Sequence, residues 1–365
     1  PAIPYCVNKD GFGPTWGNSL FEDPGEFTYG IFLGQLQQRK RLAGLVVEAL
    51  ATDIPQELKD ALQGWLDNAK DAAGSKKYGD QLKAMLPTYK ENALLTEILG
   101  YQKLFTKKSY WVFLGDGAAY DIAYGGLDHV MASGEDINIM VYDTEVYSNT
   151  GGQSSKATPI GSIAKFAASG KKTAKKNMGA MAMTYGYVYV ANISMGANKN
   201  QALKAIVEAE AYDGPSLIMA YAPCINHGIK KGMGKTQEEM KLAVDSGYWP
   251  LYRYNPDLKK EGKNPFMLES KAPDGSLQEF LSGEVRYAAL EKLFPEESKK
   301  LRAAIETEYM ERYLQLKQMA ETAPPELPKP EVELGAAGST DACVLSETPE
   351  HGGRPDAGEA CDDGR

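Results

Sequence analysis

The chain has 365 residues, of which 43% are hydrophobic and 24% are charged, a composition that is ordinary for a globular protein with a large core. Its formal net charge of −9 is unevenly distributed, because residues 331–365 contain nine acidic residues and only two arginines. The rest of the chain is nearly neutral, which argues against a general affinity for nucleic acid. Four scattered cysteines exclude a disulfide-rich scaffold. The sequence contains no run of 18 apolar residues, so no membrane span is predicted. We therefore expect a cytoplasmic protein.

The first third of the chain is predicted to be helical. Residues 29–51 have apolar residues at helical spacing and predict an amphipathic helix with core positions at Phe32, Leu36, Leu45 and Leu50. Residues 55–98 are charged and rich in Ala and Leu, which indicates two further helices.

From residue 109 onward, short apolar runs alternate with helical stretches. The runs predict four strands, at residues 109–115, 137–142, 187–193 and 216–222. A helix is predicted after the first strand, to about Ser133, and another at residues 201–212 between the last two strands. This succession predicts an α/β fold, a parallel sheet with helices on both faces, in which ligands bind at the carboxyl ends of the strands.

Beyond Trp249 the alternation is lost. Helices are predicted near residues 276–294 and 296–321, followed by a stiff proline-rich linker at 324–330. The acidic residues that follow are expected to form no core of their own. The sequence therefore predicts three parts, with boundaries at residues 1–258, 259–323 and 324–365.

The strongest chemical signal lies where the first strand ends. Gly115-Asp116-Gly117 places a carboxylate there, and 28 residues after Asp116 the turn Thr144–Gln153 follows the second strand. Mg²⁺ binds about six oxygen ligands, often one or two protein groups with phosphate oxygens. Asp116 offers a carboxylate, Thr144 a hydroxyl and the turn a backbone carbonyl. Alone, Gly-Asp-Gly is an ordinary turn, but its position between a strand and a helix favours a metal site.

These motifs resemble the thiamine diphosphate motif, and the run from Gly115 to Pro159 is similar to the pyruvate:ferredoxin (flavodoxin) oxidoreductase family. The resemblance extends over essentially the whole chain. It includes the segments GPTWGNSLFED (13–23), TYGYVYVANISMG (184–196), APCINHGIKKGMGK (222–235) and SGYWPLYRYNP (246–256).

The resemblance implies a role for each residue of the two turns. Asp116, Thr144 and the carbonyl of Val146 are expected to bind Mg²⁺, and Asn149 is expected to face the reacting carbon as the catalytic residue. The residues expected to wrap the diphosphate are Gly115, Asp116, Gly117, Ala118, Thr144, Glu145, Val146, Tyr147, Ser148 and Asn149. Two positions depart from the family pattern: Ala118 stands where Trp is usual, and Ala123 where Gly is usual. Neither supplies a metal ligand.

The cysteines have more than one interpretation. Cys224 alone would be a buried thiol, but the resemblance implies that it is the last of four ligands to a [4Fe–4S] cluster whose other ligands lie upstream. Cys6 is expected to be a loop residue. Cys343 and Cys361 are expected to be free thiols or a disulfide, in an acidic tail that we expect to lie across a neighbouring subunit.

The histidines and lysines also leave alternatives open. His129 is expected to be a packed or capping residue rather than a base, and His227 either packs in the core or tunes the cluster through a hydrogen bond. The lysine-rich segment 165–176 is either a solvated loop or a basic patch for an acidic ferredoxin or for coenzyme A phosphates.

The resemblance implies oxidative decarboxylation of pyruvate with coenzyme A to acetyl-CoA and CO₂, with electrons passing through [4Fe–4S] clusters to ferredoxin or flavodoxin. The expected cofactors are thiamine diphosphate, Mg²⁺ and a [4Fe–4S] cluster. A homodimer is expected, and upstream polypeptide of the same enzyme must supply the glutamate that activates thiamine and the remaining clusters. The alternative is a non-redox thiamine diphosphate decarboxylase or synthase, which has no use for Cys224 at the cofactor edge.

Overall fold

The computed structural model describes residues 13–14 and 16–322. The predictions for Cys6, for the linker at 324–330 and for the tail with Cys343 and Cys361 lie outside the described residues. Internal contacts divide the described chain into two units: a helical unit, residues 34–108, and a sheet unit, which contains the other described residues. The units meet at residues 33–34 and 108–109, whereas the boundary predicted within the described chain is at residues 258–259.

The helical unit contains residues 34–50 of α1 (Pro24–Leu50), followed by α2 (Gln56–Asp67), α3 (Ala72–Met85) and α4 (Ala93–Gly100). The helix predicted at residues 29–51 is confirmed, but it begins earlier, at a proline, whose fixed φ suits the first turn of a helix. Residues 55–98 contain three helices where two were predicted. The core of this unit includes Leu42, Leu45, Val46, Leu58, Leu62, Trp65, Leu82 and Phe105.

Of the predicted core positions in α1, Phe32 and Leu45 are buried, whereas Leu36 and Leu50 are half-buried. In the helical unit, Trp65 is 1% exposed, and its indole Nε1 donates a hydrogen bond to the carbonyl oxygen of Phe105 over 2.8 Å. This bond satisfies the one polar group of a large buried side chain.

The sheet unit is built on six strands in the order β1-β2-β4-β3-β5-β6. The first four are parallel and confirm the predicted strands, while the last two are antiparallel. Their bounds are β1 (Trp111–Gly115), β2 (Asn138–Asp143), β3 (Tyr189–Ile193), β4 (Ser216–Tyr221), β5 (Tyr252–Tyr254) and β6 (Phe266–Leu268). The last two strands have three residues each, too few to show a hydrophobic period.

Helices connect and cover these strands. A π-helical turn (Ala118–Ile122) leads from β1 into α5 (Tyr124–Ala132), and α7 (Lys199–Ala211) crosses from β3 to β4 with Ala202, Ala205 and Ala209 buried. The remaining helices are α6 (Met178–Met183), α8 (Thr236–Asp245), α9 (Leu277–Gly283), α10 (Val285–Leu293) and α11 (Pro295–Glu321). The single helix predicted near 276–294 is thus two helices that meet at Gly283 and Glu284.

The last helices belong to the same unit as the sheet. In α11, Ile305 and Tyr309 are buried, and the ring of Tyr309 stacks 4.8 Å from that of Tyr248. These contacts explain why the division by contacts does not follow the predicted boundary at residues 258–259.

None of the helices among the described residues combines the length and the apolar character that crossing a membrane requires.

Candidate cofactor and metal site

The candidate site lies where three neighbouring parallel strands end. Gly115, the last residue of β1, pairs with Tyr142 of β2, and Asp143 at the end of β2 pairs with Tyr221 of β4. The segments that follow these strands therefore leave the sheet at the same edge. This confirms that the two turns predicted from the sequence follow adjacent strands.

Three oxygen groups converge at this edge. The hydroxyl Oγ1 of Thr144 donates to Oδ1 of Asp116 over 2.6 Å and lies 3.0 Å from the carbonyl oxygen of Val146. The backbone N–H of Thr144 donates to the same Asp116 oxygen over 3.0 Å. Ser155 donates to the other Asp116 oxygen over 3.3 Å, a contact that sequence reasoning missed. The structure thus brings together the carboxylate, hydroxyl and carbonyl that the sequence singled out.

The chemistry of these oxygen atoms fits a magnesium ion. Its donor atoms are all oxygen, and no group of three or more His, Cys, Asp or Glu side chains within the described residues is placed to hold a metal ion. A site with one carboxylate suits Mg²⁺ when phosphate oxygens complete the coordination. Burial, with the nearby charge of Asp143, raises the pKa of Asp116 to about 7. A bound divalent cation would favour the ionised carboxylate.

The side chain of Glu145 points away from this set of oxygens. It is 1% exposed, and its carboxylate accepts a hydrogen bond from Tyr248 over 2.6 Å and forms ion pairs with Lys175 at 3.1 Å and Arg286 at 2.8 Å. Burial opposes ionisation, but the charges of Lys175 and Arg286 outweigh it and lower the pKa of Glu145 to about 2. Any contact that residue 145 makes with a diphosphate is therefore left to its backbone.

Asp143 is also buried and paired. Lys175 lies 2.7 Å from one of its oxygens, and the hydroxyl of Tyr120 donates to it over 2.8 Å. Burial nevertheless raises the pKa of Asp143 above its usual value. Lys175 thus forms ion pairs with two buried carboxylates. It belongs neither to a solvated loop nor to a surface patch, the two alternatives predicted for the lysine-rich segment.

The other residues of the two turns are placed as follows. Gly117 packs against the ring of Tyr147 so closely that a Cβ atom would meet the ring at 2.5 Å. Ala118 begins the π-helical turn and is buried. Ser148 is half-buried and Asn149 is exposed, so the side chain of Asn149 is accessible at the end of the turn.

A cleft of about 720 Å³ opens beside the site. Burial, with the nearby charge of Lys156, lowers the pKa of Lys176 to about 8. The ammonium of Lys171 donates to the carbonyl oxygens of Ser155 and Thr158 over 2.7 and 2.6 Å. The cleft is lined by Tyr147, Ser155, Lys156, Lys171 and Lys176, among others. The segment 165–176 thus turns part of its positive charge toward the site, while Lys172 pairs with Glu297 at 2.5 Å.

The segment that follows β4 reaches the same edge. Asn226 donates two hydrogen bonds to Sγ of Cys224, from its backbone N–H over 3.5 Å and its side chain over 3.4 Å. His227 is fully buried, and its Nε2 lies 2.7 Å from the carbonyl oxygen of Thr144. One short segment therefore carries the predicted cluster ligand and contacts the predicted metal turn.

His129 lies apart from these groups. It is on α5, and its ring meets that of Tyr29 edge-on at 5.7 Å. His129 is exposed, however, so this ring contact lies at the surface of the protein and not in its core.

Two parts of the chain match known families. Residues 38–94 match the pyruvate-ferredoxin oxidoreductase insertion domain, and residues 95–220 match the C-terminal TPP binding domain of thiamine pyrophosphate enzymes. The first match lies within the helical unit. The second contains both turns of the candidate site and ends before Cys224.

Three relatives are similar to most of this chain. The pyruvate:ferredoxin oxidoreductase of Moorella thermoacetica is 54% identical over 88% of this chain, and the pyruvate-flavodoxin oxidoreductase of Klebsiella pneumoniae is 52% identical over 88%. The mitochondrial NADP⁺ pyruvate dehydrogenase of Euglena gracilis is 47% identical over 87%. The chain spans 28%, 27% and 18% of the length of these three proteins, respectively.

Proposed function

This chain belongs to the pyruvate:ferredoxin and pyruvate:flavodoxin oxidoreductase family, and we propose that it is the diphosphate- and magnesium-binding part of a larger enzyme with that activity. The enzyme converts pyruvate and coenzyme A to acetyl-CoA and CO₂. It passes the two electrons released, one at a time, through [4Fe–4S] clusters to ferredoxin or flavodoxin. The observation that carries the proposal is the convergence of Asp116, Thr144 and Val146 oxygens beside the segment of Cys224.

Different groups of the two turns bind the metal and the diphosphate. Asp116, Thr144 and the Val146 carbonyl hold Mg²⁺, and the backbone of segments 115–118 and 144–149 binds the diphosphate. Thiamine diphosphate, when bound, supplies a nucleophilic carbon and an electron sink for the loss of CO₂. Asn149, accessible at the end of its turn, faces the reacting carbon.

Cys224 serves as one ligand of a [4Fe–4S] cluster in this proposal. Its sulfur already accepts hydrogen bonds from Asn226, and such bonds are among the features that set cluster potentials. The contact of His227 with the Thr144 carbonyl keeps the cluster segment next to the metal turn. The remaining cluster ligands come from upstream polypeptide. The assembled enzyme is a cytoplasmic homodimer.

The electron acceptor needs its own test, because the Euglena relative, whose name specifies NADP⁺, is almost as similar to this chain as the other two. The full-length enzyme should be assayed anaerobically with pyruvate, coenzyme A, thiamine diphosphate and Mg²⁺, and with ferredoxin, flavodoxin or NADP⁺ in turn. We expect two reduced one-electron carriers for each acetyl-CoA formed. Formation of acetaldehyde or a condensation product without reduction of any acceptor would instead indicate the non-redox alternative.

A further inference from the structure

The metal turn contains a non-glycine residue in the left-handed backbone region. Glu145 has φ of 59°, and in the described part of the chain it shares this property with one other non-glycine residue, Phe166. Residues with a Cβ atom disfavour this conformation, which is usually taken by Gly, Asn or Asp. Phe166 is 92% exposed, whereas Glu145 is 1% exposed. The conformation of Glu145 is therefore maintained inside the protein, where its contacts can stabilise it.

Three buried side chains hold the carboxylate of Glu145. Lys175 contacts one oxygen at 3.1 Å, while Arg286 at 2.8 Å and Tyr248 at 2.6 Å contact the other. Arg286 is itself fixed by Glu284 at 2.7 Å. The buried carboxylate is therefore fixed relative to these three side chains.

Because Glu145 lies between two proposed metal ligands, fixing its conformation affects how the oxygens of both neighbours are oriented. Thr144 precedes it and Val146 follows it. In an extended strand, side chains stand out of the sheet whereas carbonyl oxygens lie in the hydrogen-bonding direction, but here the Thr144 hydroxyl lies 3.0 Å from the Val146 carbonyl oxygen. The left-handed residue between them turns the chain so that the Val146 carbonyl oxygen meets the Thr144 hydroxyl, which itself contacts Asp116.

We propose that Glu145 is a positioning residue for the magnesium site: its buried carboxylate, held by Lys175, Arg286 and Tyr248, keeps residue 145 in the left-handed conformation that directs the oxygens of Thr144 and Val146 toward Asp116. The inference rests on the proposed function, because it assumes that these oxygens bind the metal. Glu145 itself is not a ligand, and its role is to shape the turn.

Two variants separate the anchor from the backbone conformation. Glu145→Ala removes the carboxylate and keeps the Cβ atom that disfavours a positive φ. Glu145→Gly removes the same carboxylate but accepts that φ without strain. In the full-length enzyme, Mn²⁺ titrated in the presence of thiamine diphosphate and followed by EPR reports on the site. We expect Glu145→Ala to weaken Mn²⁺ binding at least tenfold, and Glu145→Gly to bind roughly fivefold more tightly than Glu145→Ala.

A matched pair of control variants is available at Glu269. Its carboxylate also pairs with a buried arginine, Arg253, at 2.7 Å, but it is not among the residues with positive φ. Glu269→Ala and Glu269→Gly should both bind Mn²⁺ like the wild type. The thermal melting order should also reverse: glycine melts above alanine at position 145 but not above it at position 269.

Tyr248→Phe keeps the turn sequence and the ring packing while removing one anchor, so it tests the inference even if Glu145→Ala does not fold. We expect it to raise the Mn²⁺ dissociation constant roughly two- to tenfold. Wild-type Mn²⁺ affinity in Tyr248→Phe, or equal affinity in Glu145→Gly and a folded Glu145→Ala, would overturn the inference. Asp116→Ala separates this from a failure of the proposed function, since unchanged Mn²⁺ binding in that variant would remove the metal assignment itself.

Discussion

The substitution Gly117→Ala tests how tightly the two turns of the site fit each other. Gly117 has φ of −58°, which any residue can adopt, so backbone conformation does not require glycine there. The lack of space requires glycine, because a Cβ atom would lie 2.5, 2.6 and 3.2 Å from three atoms of the Tyr147 ring. The ring belongs to the turn that carries Thr144 and Val146, so relieving the clash through a shift of this turn would displace the proposed ligands.

The magnitude follows from the cost of inserting a methyl group into a packed contact, about 1–3 kcal/mol. If this cost falls on the cofactor-binding conformation, thiamine diphosphate with Mg²⁺ binds roughly 5- to 160-fold more weakly. Calorimetric titration of the full-length enzyme measures this change. Gly125→Ala is the matched control, since Gly125 lies on α5 outside both turns and a Cβ atom there meets nothing within 4 Å.

A double-mutant cycle identifies the cause. The substitution Gly117→Ala should weaken cofactor binding much less when Tyr147→Ala is already present, because the clashing ring has been removed. Wild-type affinity in Gly117→Ala, or the same loss in both backgrounds, would refute the reasoning.

Three further predictions concern the metal, the cluster and the buried charge of α8. Asp116→Ala should abolish magnesium-dependent binding of thiamine diphosphate while the protein remains folded, as calorimetry and circular dichroism can check, and unchanged affinity would contradict the metal assignment. Cys224→Ala should leave decarboxylation possible but block electron delivery, so a full set of cluster EPR signals with normal ferredoxin-coupled turnover would make Cys224 a packed thiol. Burial, with the charge of Glu284, raises the pKa of Glu239 to about 7. Because the folded protein binds this proton more tightly than the unfolded chain, the contribution of Glu239 to stability is complete below about pH 4.5 and is lost as the pH rises through 7. Glu239→Gln should flatten the fall in melting temperature over this range, and an unchanged pH profile would count against the assignment.

The parts of the structure that were predicted depend on local sequence. The four parallel strands are contiguous apolar runs, and the proposed metal ligands Asp116 and Thr144 each follow one of them directly. Because parallel strands end at the same edge of a sheet, their order in the chain was enough to bring the two turns together.

The support beneath the site could not be predicted in this way. Lys175 lies in a lysine-rich segment that is typical of a solvated loop, and Arg286 is far from Glu145 in the sequence, yet both are buried against it. Nothing local in the sequence indicates a left-handed conformation at a glutamate. Long-range ion pairs determine it, and single-sequence patterns do not contain them.

The most direct test of the account is a crystal structure of the full-length enzyme with Mn²⁺ and thiamine diphosphate, in which anomalous scattering locates the metal. We expect the anomalous peak about 2.1 Å from the Asp116 carboxylate, the Thr144 hydroxyl and the Val146 carbonyl oxygen, with Glu145 still directed toward Lys175 and Arg286. A peak away from these three oxygens, or one bound by the Glu145 carboxylate, would contradict the account.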